Sequence, residues 1–315
     1  APDVIDYGYH EVRVNSGGGE QLFKALDGPG SEMRLRSSEI IVDAAIDFLE
    51  RNADEPVFMN LWLLDPHEPI VAHQKHADRY SHLSAPYRDY FSVLTNMDQE
   101  VGRLLGALKK LNLDEETLVV FTSDNGPEPI ARSKPGAAIA ARTGPLRGCK
   151  RSLYDGGIRV PMIARWPSHI APGNVDSVSV ASGIDLFPTV CALARLPSPT
   201  HLDGESLEEA LYGEPSRRSN PLVWAFPFTQ RHEQPIYASP MLALRTSQWK
   251  LLMNPDRSRV ELYQIRKDMA EVNNLASEQV KVVRSLSDQL LRWYEALPPH
   301  SVDEQSGHPV YHWRE

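Results

Sequence analysis

Helical and strand-like spacings of apolar residues alternate along the first two-thirds of this chain. From Ser38, the residues Ile40, Ile41, Ala44, Ala45, Phe48 and Leu49 form one stripe and predict an amphipathic helix. An apolar run over 57–64 then predicts a buried strand. A second stripe over roughly 87–110 turns Phe91, Leu94, Met97, Val101, Leu104, Leu105 and Leu108 inward. Leu118 to Phe121 are continuously apolar, which predicts a strand over 117–123 covered on both faces. Val160 to Trp166 reads as another short buried strand, and Asp185 and Pro188 suit the first turn of a helix continuing through Val190 and Leu193. This alternation predicts an α/β fold built on a doubly wound, mostly parallel sheet.

The carboxyl third changes character. Residues 213–240 are rich in Pro, Ser and Arg and predict a long connection. Met241–Arg245 and Trp249–Met253 flank Thr246-Ser247-Gln248 and predict an antiparallel pair, with Val260–Ile265 as a third strand. A final helix over about 278–297 carries Val283, Leu286, Leu290, Trp293 and Leu297 on its apolar side. The expected division is therefore 1–220, a partial catalytic domain, and 221–315, a small antiparallel sheet plus helix. Residues 1–36, with Gly17-Gly18-Gly19, are expected to be largely irregular.

Composition narrows the classes. The chain has 315 residues, 41% hydrophobic and 24% charged, as expected of a globular protein. A net charge of −9 gives no basis for a nucleic-acid partner. Two cysteines cannot build a disulfide framework. No apolar run approaches the roughly 20 residues of a membrane span.

The chemistry concentrates in two segments. Asp124 and Asn125 arrive at the end of the 117–123 strand, the edge where open α/β sheets place ligands. A carboxylate beside a carboxamide offers hard oxygen donors of the kind Ca²⁺ and Mg²⁺ take, and Gly126 lets the chain turn away. The same three residues are also ordinary turn formers. Further on, Gly144, Gly148, Gly156 and Gly157 make a loop able to approach a ligand with its backbone, and Lys150 within it offers a compact positive charge for an anion. Arg147, Arg151 and Arg159 either add positive potential there or pair with carboxylates such as Asp155. Cys149 reads as a small packed residue. His73, His76 and His82 fall on a polar segment read as a loop of solvated histidines, not as a zinc site.

Ser-Asp-Asn-Gly at 123–126, Leu-Arg-Gly-x-Lys-x-x-x-x-Asp-Gly-Gly-x-Arg-Val-Pro at 146–161 and Arg-Trp-Pro at 165–167 resemble the sulfatase family of the alkaline-phosphatase-like superfamily. Asp65-Pro66-His67-Glu68-Pro69, Ile184-Asp185-Leu186-Phe187-Pro188-Thr189, Asp203-Gly204 and Glu261-Leu262-Tyr263 agree in order, as does Asp6-Tyr7-Gly8-Tyr9. The resemblance implies that Asp124 and Asn125 bind a divalent cation, usually Ca²⁺. It implies that Lys150 contacts the sulfate, and that His67 lies near the sulfate and the leaving oxygen.

Sulfatases make a formylglycine nucleophile from the Cys or Ser of a Cys/Ser-x-Pro-x-Arg motif; neither Cys149 nor Cys191 stands in one, and no serine is expected to head one. The family's other metal ligands include an Asp-Asp pair, a dipeptide this chain does not contain. The expectation is an incomplete chain that lacks its amino-terminal portion and its nucleophile, inactive alone toward organic sulfate esters. Such a chain is expected to self-associate or to need the missing portion. Export to the periplasm or outside the cell follows only if the full family pattern holds. Two alternatives stand beside this reading. One is a phosphatase or phosphodiesterase of the same superfamily, whose motif carries His where Asn125 stands. The other is a non-catalytic pseudoenzyme that binds sulfated glycan.

Overall fold

The computed structural model describes residues 32–68, 70–128, 142–226 and 238–298. The chain divides into two compact units, residues 1–117 with 129–141, and residues 118–128 with 142–315.

In the described part of the first unit, helices α1 (Glu32–Leu35), α2 (Ser37–Arg51), α3 (Gln74–Ala77) and α4 (Ala85–Lys110) supply all the regular structure apart from one 3-10 turn. Ala45 and Leu49 of the expected stripe are buried, with Val42, which the stripe did not include, while Ile40, Ile41, Ala44 and Phe48 are half-buried; α2 packs along α4. Pro86 sits in the first turn of α4, where its missing N–H costs nothing. Asn112, at a φ of 58°, turns the chain out of the helix just beyond its end.

Residues 57–64 do not form the expected strand. The segment is extended, and Phe58 and Trp62 are 63% and 80% exposed. A strand needs a neighbour to share its backbone hydrogen bonds, and among the described residues none pairs with this one.

The histidine segment also departs from expectation. His73 and His76 flank and enter α3, and both are buried. The His73 N–H donates to Ser92 Oγ on α4 at 3.0 Å. Burial lowers the pKa of both rings, more than the nearby Asp65 carboxylate raises that of His73; Arg34 and Lys75 also lower His73, and Lys75 and Arg79 lower His76. Burial thus favours the neutral form of both histidines in the folded state, while the unfolded chain protonates them near a pH of about 6.5. Their contribution is intact above that pH and is lost as pH falls below it. The unfolding midpoint should drop between about pH 7.5 and about pH 5.5, and His76→Gln should shrink that drop.

The described residues of the second unit form two sheets. Strands β1 (Val119–Thr122) and β2 (Met162–Arg165) pair with Val119 opposite Arg165 and Thr122 opposite Met162. This pair is antiparallel, and every ladder among the described residues is antiparallel. The expected mostly parallel sheet is therefore not found there. An apolar run specifies burial but says nothing about the direction of the neighbouring strand. Nor is this pair covered on both faces, since Phe121 and Ile163 are exposed.

The second sheet orders β3 (Leu222–Ala225), β4 (Leu242–Arg245), β5 (Lys250–Met253) and β6 (Glu261–Tyr263) as consecutive neighbours. The β4–β5 hairpin and β6 match the sequence reading. β3 lies inside the segment read as a long connection, where four residues were too short a run to register. Period-two alternation separates the sheet's faces. Leu242, Leu244, Leu251, Met253 and Leu262 join Leu290 of the terminal helix α8 (Val280–Glu295) in one core. Ala243, Leu252 and Tyr263 face the other way, onto Leu153 and Tyr154 of the glycine-rich loop. That second face carries the candidate site.

Candidate active site

Lys150 reaches its place through glycines. Gly144 and Gly148 hold φ values of 62° and 82°, a conformation that side chains resist. Gly156 and Gly157, in the short helix α5 (Asp155–Ile158), pack so closely that added Cβ atoms would meet backbone oxygens of Gly148 at 2.3 Å and Ser152 at 2.1 Å. The loop then docks on the turn after β1. Gly126 N–H donates to the Gly157 carbonyl at 2.8 Å, and Lys150 N–H donates to the Pro127 carbonyl at 2.8 Å. Asp124-Asn125-Gly126 and the Lys150 loop are thus neighbours in one unit.

Within the turn, Asp124 Oδ1 accepts the Asn125 N–H at 2.9 Å, and Asn125 Nδ2 donates to the Gly126 carbonyl at 2.9 Å. Those bonds occupy one carboxylate oxygen and the amide nitrogen. Among the described residues, nothing donates to Asp124 Oδ2 or Asn125 Oδ1. Two hard oxygens left over on adjacent side chains fit a divalent cation of the Ca²⁺ or Mg²⁺ type. They are a part of a site, because Ca²⁺ takes about six to eight oxygens. Among the described residues no three metal-ligating side chains of the His, Cys, Asp or Glu type gather.

Each flanking arginine has a carboxylate nearby, one of the two arrangements expected of them. Arg151 pairs with Glu128 at 2.5 Å, and Arg159 lies 3.7 Å from Asp155. Arg147 stacks 3.8 Å over the Tyr154 ring, donates to Tyr263 Oη at 3.0 Å and lies 3.6 Å from Glu261. Tyr154 Oη donates to Glu261 at 2.8 Å. Burial of this cluster pushes both tyrosine pKa values up, so each phenol keeps its proton. Cys149 is buried, with its thiol pushed up to about 12, an inert packed residue as read from sequence.

His67 belongs to the first unit. Its ring is exposed, with Nδ1 2.7 Å from the Glu68 carbonyl. The turn that presents it is clamped from below. The buried Arg34 donates to Asp65 Oδ1 at 2.6 Å and to the His67 carbonyl, and Ser38 donates to Asp65 Oδ2 at 2.6 Å. Asp65 thus holds the turn together.

On the letters alone, one serine does satisfy the nucleophile motif: Ser84-Ala85-Pro86-Tyr87-Arg88. The expectation that the chain carries no such motif is corrected to that extent. Ser84 is the exposed residue preceding α4, with extended backbone, and Arg88 donates to its neighbour Asp89 at 2.8 Å. The match coincides with a helix start containing proline.

Sequence reasoning missed Lys250 and Glu271, which are fully buried and lie 2.9 Å apart. A signal was present. Lys250 shares a strand face with Leu252 in an otherwise apolar strand, and a charge at such a position is seldom buried without a partner.

Comparison with known proteins agrees with the motifs. The Sulfatase family model matches residues 8–196, and the model for N-sulphoglucosamine sulphohydrolase, C-terminal, matches 149–296. Human arylsulfatase A is 38% identical over 188 residues, covering 59% of this chain and 34% of that protein. N-acetylgalactosamine-6-O-sulfatase of Bacteroides thetaiotaomicron is 28% identical over 271 residues, covering 80% and 50%. The crystal structure of Ps i-CgsB with k-i-k-neocarrahexaose superposes with a TM-score of 0.69 at 27% identity, covering 81% of this chain and 54% of that one. The chain thus spans between a third and about half of the length of these relatives. Its described helices and sheets are those of an alkaline-phosphatase-like α/β fold. This chain belongs to the sulfatase family.

Proposed function

We propose that this chain forms part of a hydrolase of organic sulfate esters, with Asp124 and Asn125 as cation ligands, Lys150 as the sulfate contact and His67 as proton donor. The observation that carries it is the seating of the Lys150 loop on the turn after Asp124 and Asn125 by two backbone hydrogen bonds of 2.8 Å. A divalent cation at Asp124 and Asn125, Ca²⁺ by donor chemistry, would withdraw charge from a sulfuryl oxygen. The Lys150 ammonium would neutralise charge on another as the ester bond breaks. An imidazole can donate a proton to a departing alkoxide, the role proposed for His67.

Two side-chain ligands do not complete the cation site, so the chain by itself is expected not to turn over substrate. A nucleophile is needed as well, and an exposed serine at a helix start with its arginine engaged by Asp89 is a poor candidate. Self-association, or union with the remainder of a sulfatase, would complete the site and cover exposed side chains such as Ile163. The domain division at residue 220 remains part of this proposal. Carbohydrate sulfates are the substrate class to try first, because relatives that cover about four-fifths of the chain include an N-acetylgalactosamine-6-O-sulfatase and a structure with k-i-k-neocarrahexaose bound.

Titration with inorganic sulfate tests the reading. The chain should bind it, and Lys150→Ala should weaken binding by about tenfold or more, the value of a charge-assisted hydrogen bond. Turnover of a generic aryl sulfate by the pure chain, abolished by Lys150→Ala, would show that the site is complete and overturn the partial-site reading. Binding unaffected by the substitution would remove Lys150 from the site.

A further inference from the structure

Lys250 is a charge the proposed chemistry does not use, in the least exposed part of the fold. Its Nζ lies 2.6 Å from Asp155 Oδ1 and 2.9 Å from Glu271 Oε1, and its side chain is wholly buried. Glu271 Oε2 accepts the Asp155 N–H at 2.6 Å. One ammonium and two carboxylates thus close a ring around a single backbone amide. Glu271 adopts a φ of 53°, uncommon for any residue but glycine. As a source of stability this arrangement is poor, because apolar groups of the same volume commonly do as well. What a charge cluster supplies is direction.

That direction leads into the loop. One residue beyond Asp155, the Gly156 N–H donates to the Arg147 carbonyl at 2.6 Å, and the Gly157 N–H donates to the Tyr154 carbonyl at 2.8 Å. The Gly157 carbonyl then receives the Gly126 N–H, and the Pro127 carbonyl receives the Lys150 N–H. No side chain intervenes in this path, and the glycines leave no room for slack.

We propose that Lys250 is a positioning residue for the anion-binding loop: with Asp155 and Glu271 it sets the seat of residues 155–157, and through them the placement of Asp124, Asn125 and Lys150. The proposal rests on the reading of Lys150 as a sulfate contact. Burial raises the Glu271 pKa to about 7, consistent with a carboxylate that depends on Lys250 for its charge. Loss of the ammonium removes the cation that keeps Glu271 charged, so Glu271 would take up a proton and its part in the ring would change.

The full chain carrying Lys250→Met, and the double variant Lys250→Met/Glu271→Gln, provide the test. Amide exchange at Gly126, Lys150 and Gly157 is compared with exchange at Leu244 and Leu251 in the sheet, and inorganic sulfate is titrated. In the single variant the loop amides should accelerate at least about tenfold more than the sheet amides. The double variant fixes position 271 neutral, so that no uncompensated charge is left there. It should return the sheet amides toward wild type while the loop stays fast and sulfate binds at least about tenfold more weakly. If the single variant does not fold, the double variant supplies both measurements. Loop and sheet amides that shift together, or loop amides that recover fully in the double variant, would overturn the proposal. Wild-type chain that binds no sulfate would defeat the reading of Lys150, and the exchange comparison would then decide for or against Lys250 on its own.

Discussion

Replacing Gly126 by alanine is expected to destabilise the second unit by about 3 kcal/mol or more, at or above the upper end of overpacking penalties. A Cβ at that position would lie 1.8 Å from the Gly156 carbonyl oxygen, 2.8 Å from its carbon and 3.1 Å from Gly157 Cα. All three are backbone atoms, so no flexible side chain can swing aside. Gly156 cannot retreat either, because the carbonyls of Gly148 and Arg147 stand 2.3 Å and 2.5 Å from the position its own Cβ would take. Relief must come from breaking the Gly126–Gly157 hydrogen bond, which would release the turn that carries Asp124 and Asn125. Urea unfolding should therefore show a lower midpoint, and sulfate binding should weaken in the same variant. Gly102 on α4 is the control, since nothing lies within 4 Å of its added Cβ. Gly102→Ala should stabilise the protein by up to about 1 kcal/mol through helix propensity. Opposite signs for one chemical change would locate the effect in packing; destabilisation of both would not.

Asp185→Ala is expected to cost about 3–5 kcal/mol, the range for a buried ion pair broken on one side. Asp185 is fully buried ahead of α6 (Leu186–Leu193), and its side chain accepts the N–H groups of Ser182 at 2.7 Å and Glu205 at 2.9 Å. Arg218 donates to it at 2.6 Å with only 6% of its side chain exposed. Truncation strands a guanidinium and two amides together. A double-mutant cycle with Arg218→Met separates the two contributions. The Arg218 charge accounts for the larger share if the double variant recovers most of the loss. A single-variant loss below about 1 kcal/mol would mean that water replaces the carboxylate, contrary to this account.

The helices and the carboxyl-terminal sheet were legible because their apolar spacing is local. Ala45 and Leu49 in the helical stripe, and the alternation through Leu242, Leu244, Leu251 and Leu262, need no knowledge of what covers them. Among the described residues no strand forms over 57–64: an apolar run marks burial, whereas a strand also needs a neighbouring segment in register. His73 and His76 read as polar and therefore solvated, yet α3 folds them against α4.

For the candidate site, the motif residues Asp124, Asn125, Gly126 and Lys150 were all named from the linear chain, and their identity as a sulfatase pattern needed no coordinates. Folding alone determined that Gly126 and Gly157 touch, and that Lys250 and Glu271 grip Asp155 from 95 and 116 positions away. Residue type states what chemistry a group can do. Which charge meets which, at what burial, depends on contacts between distant segments, and no local spacing records them.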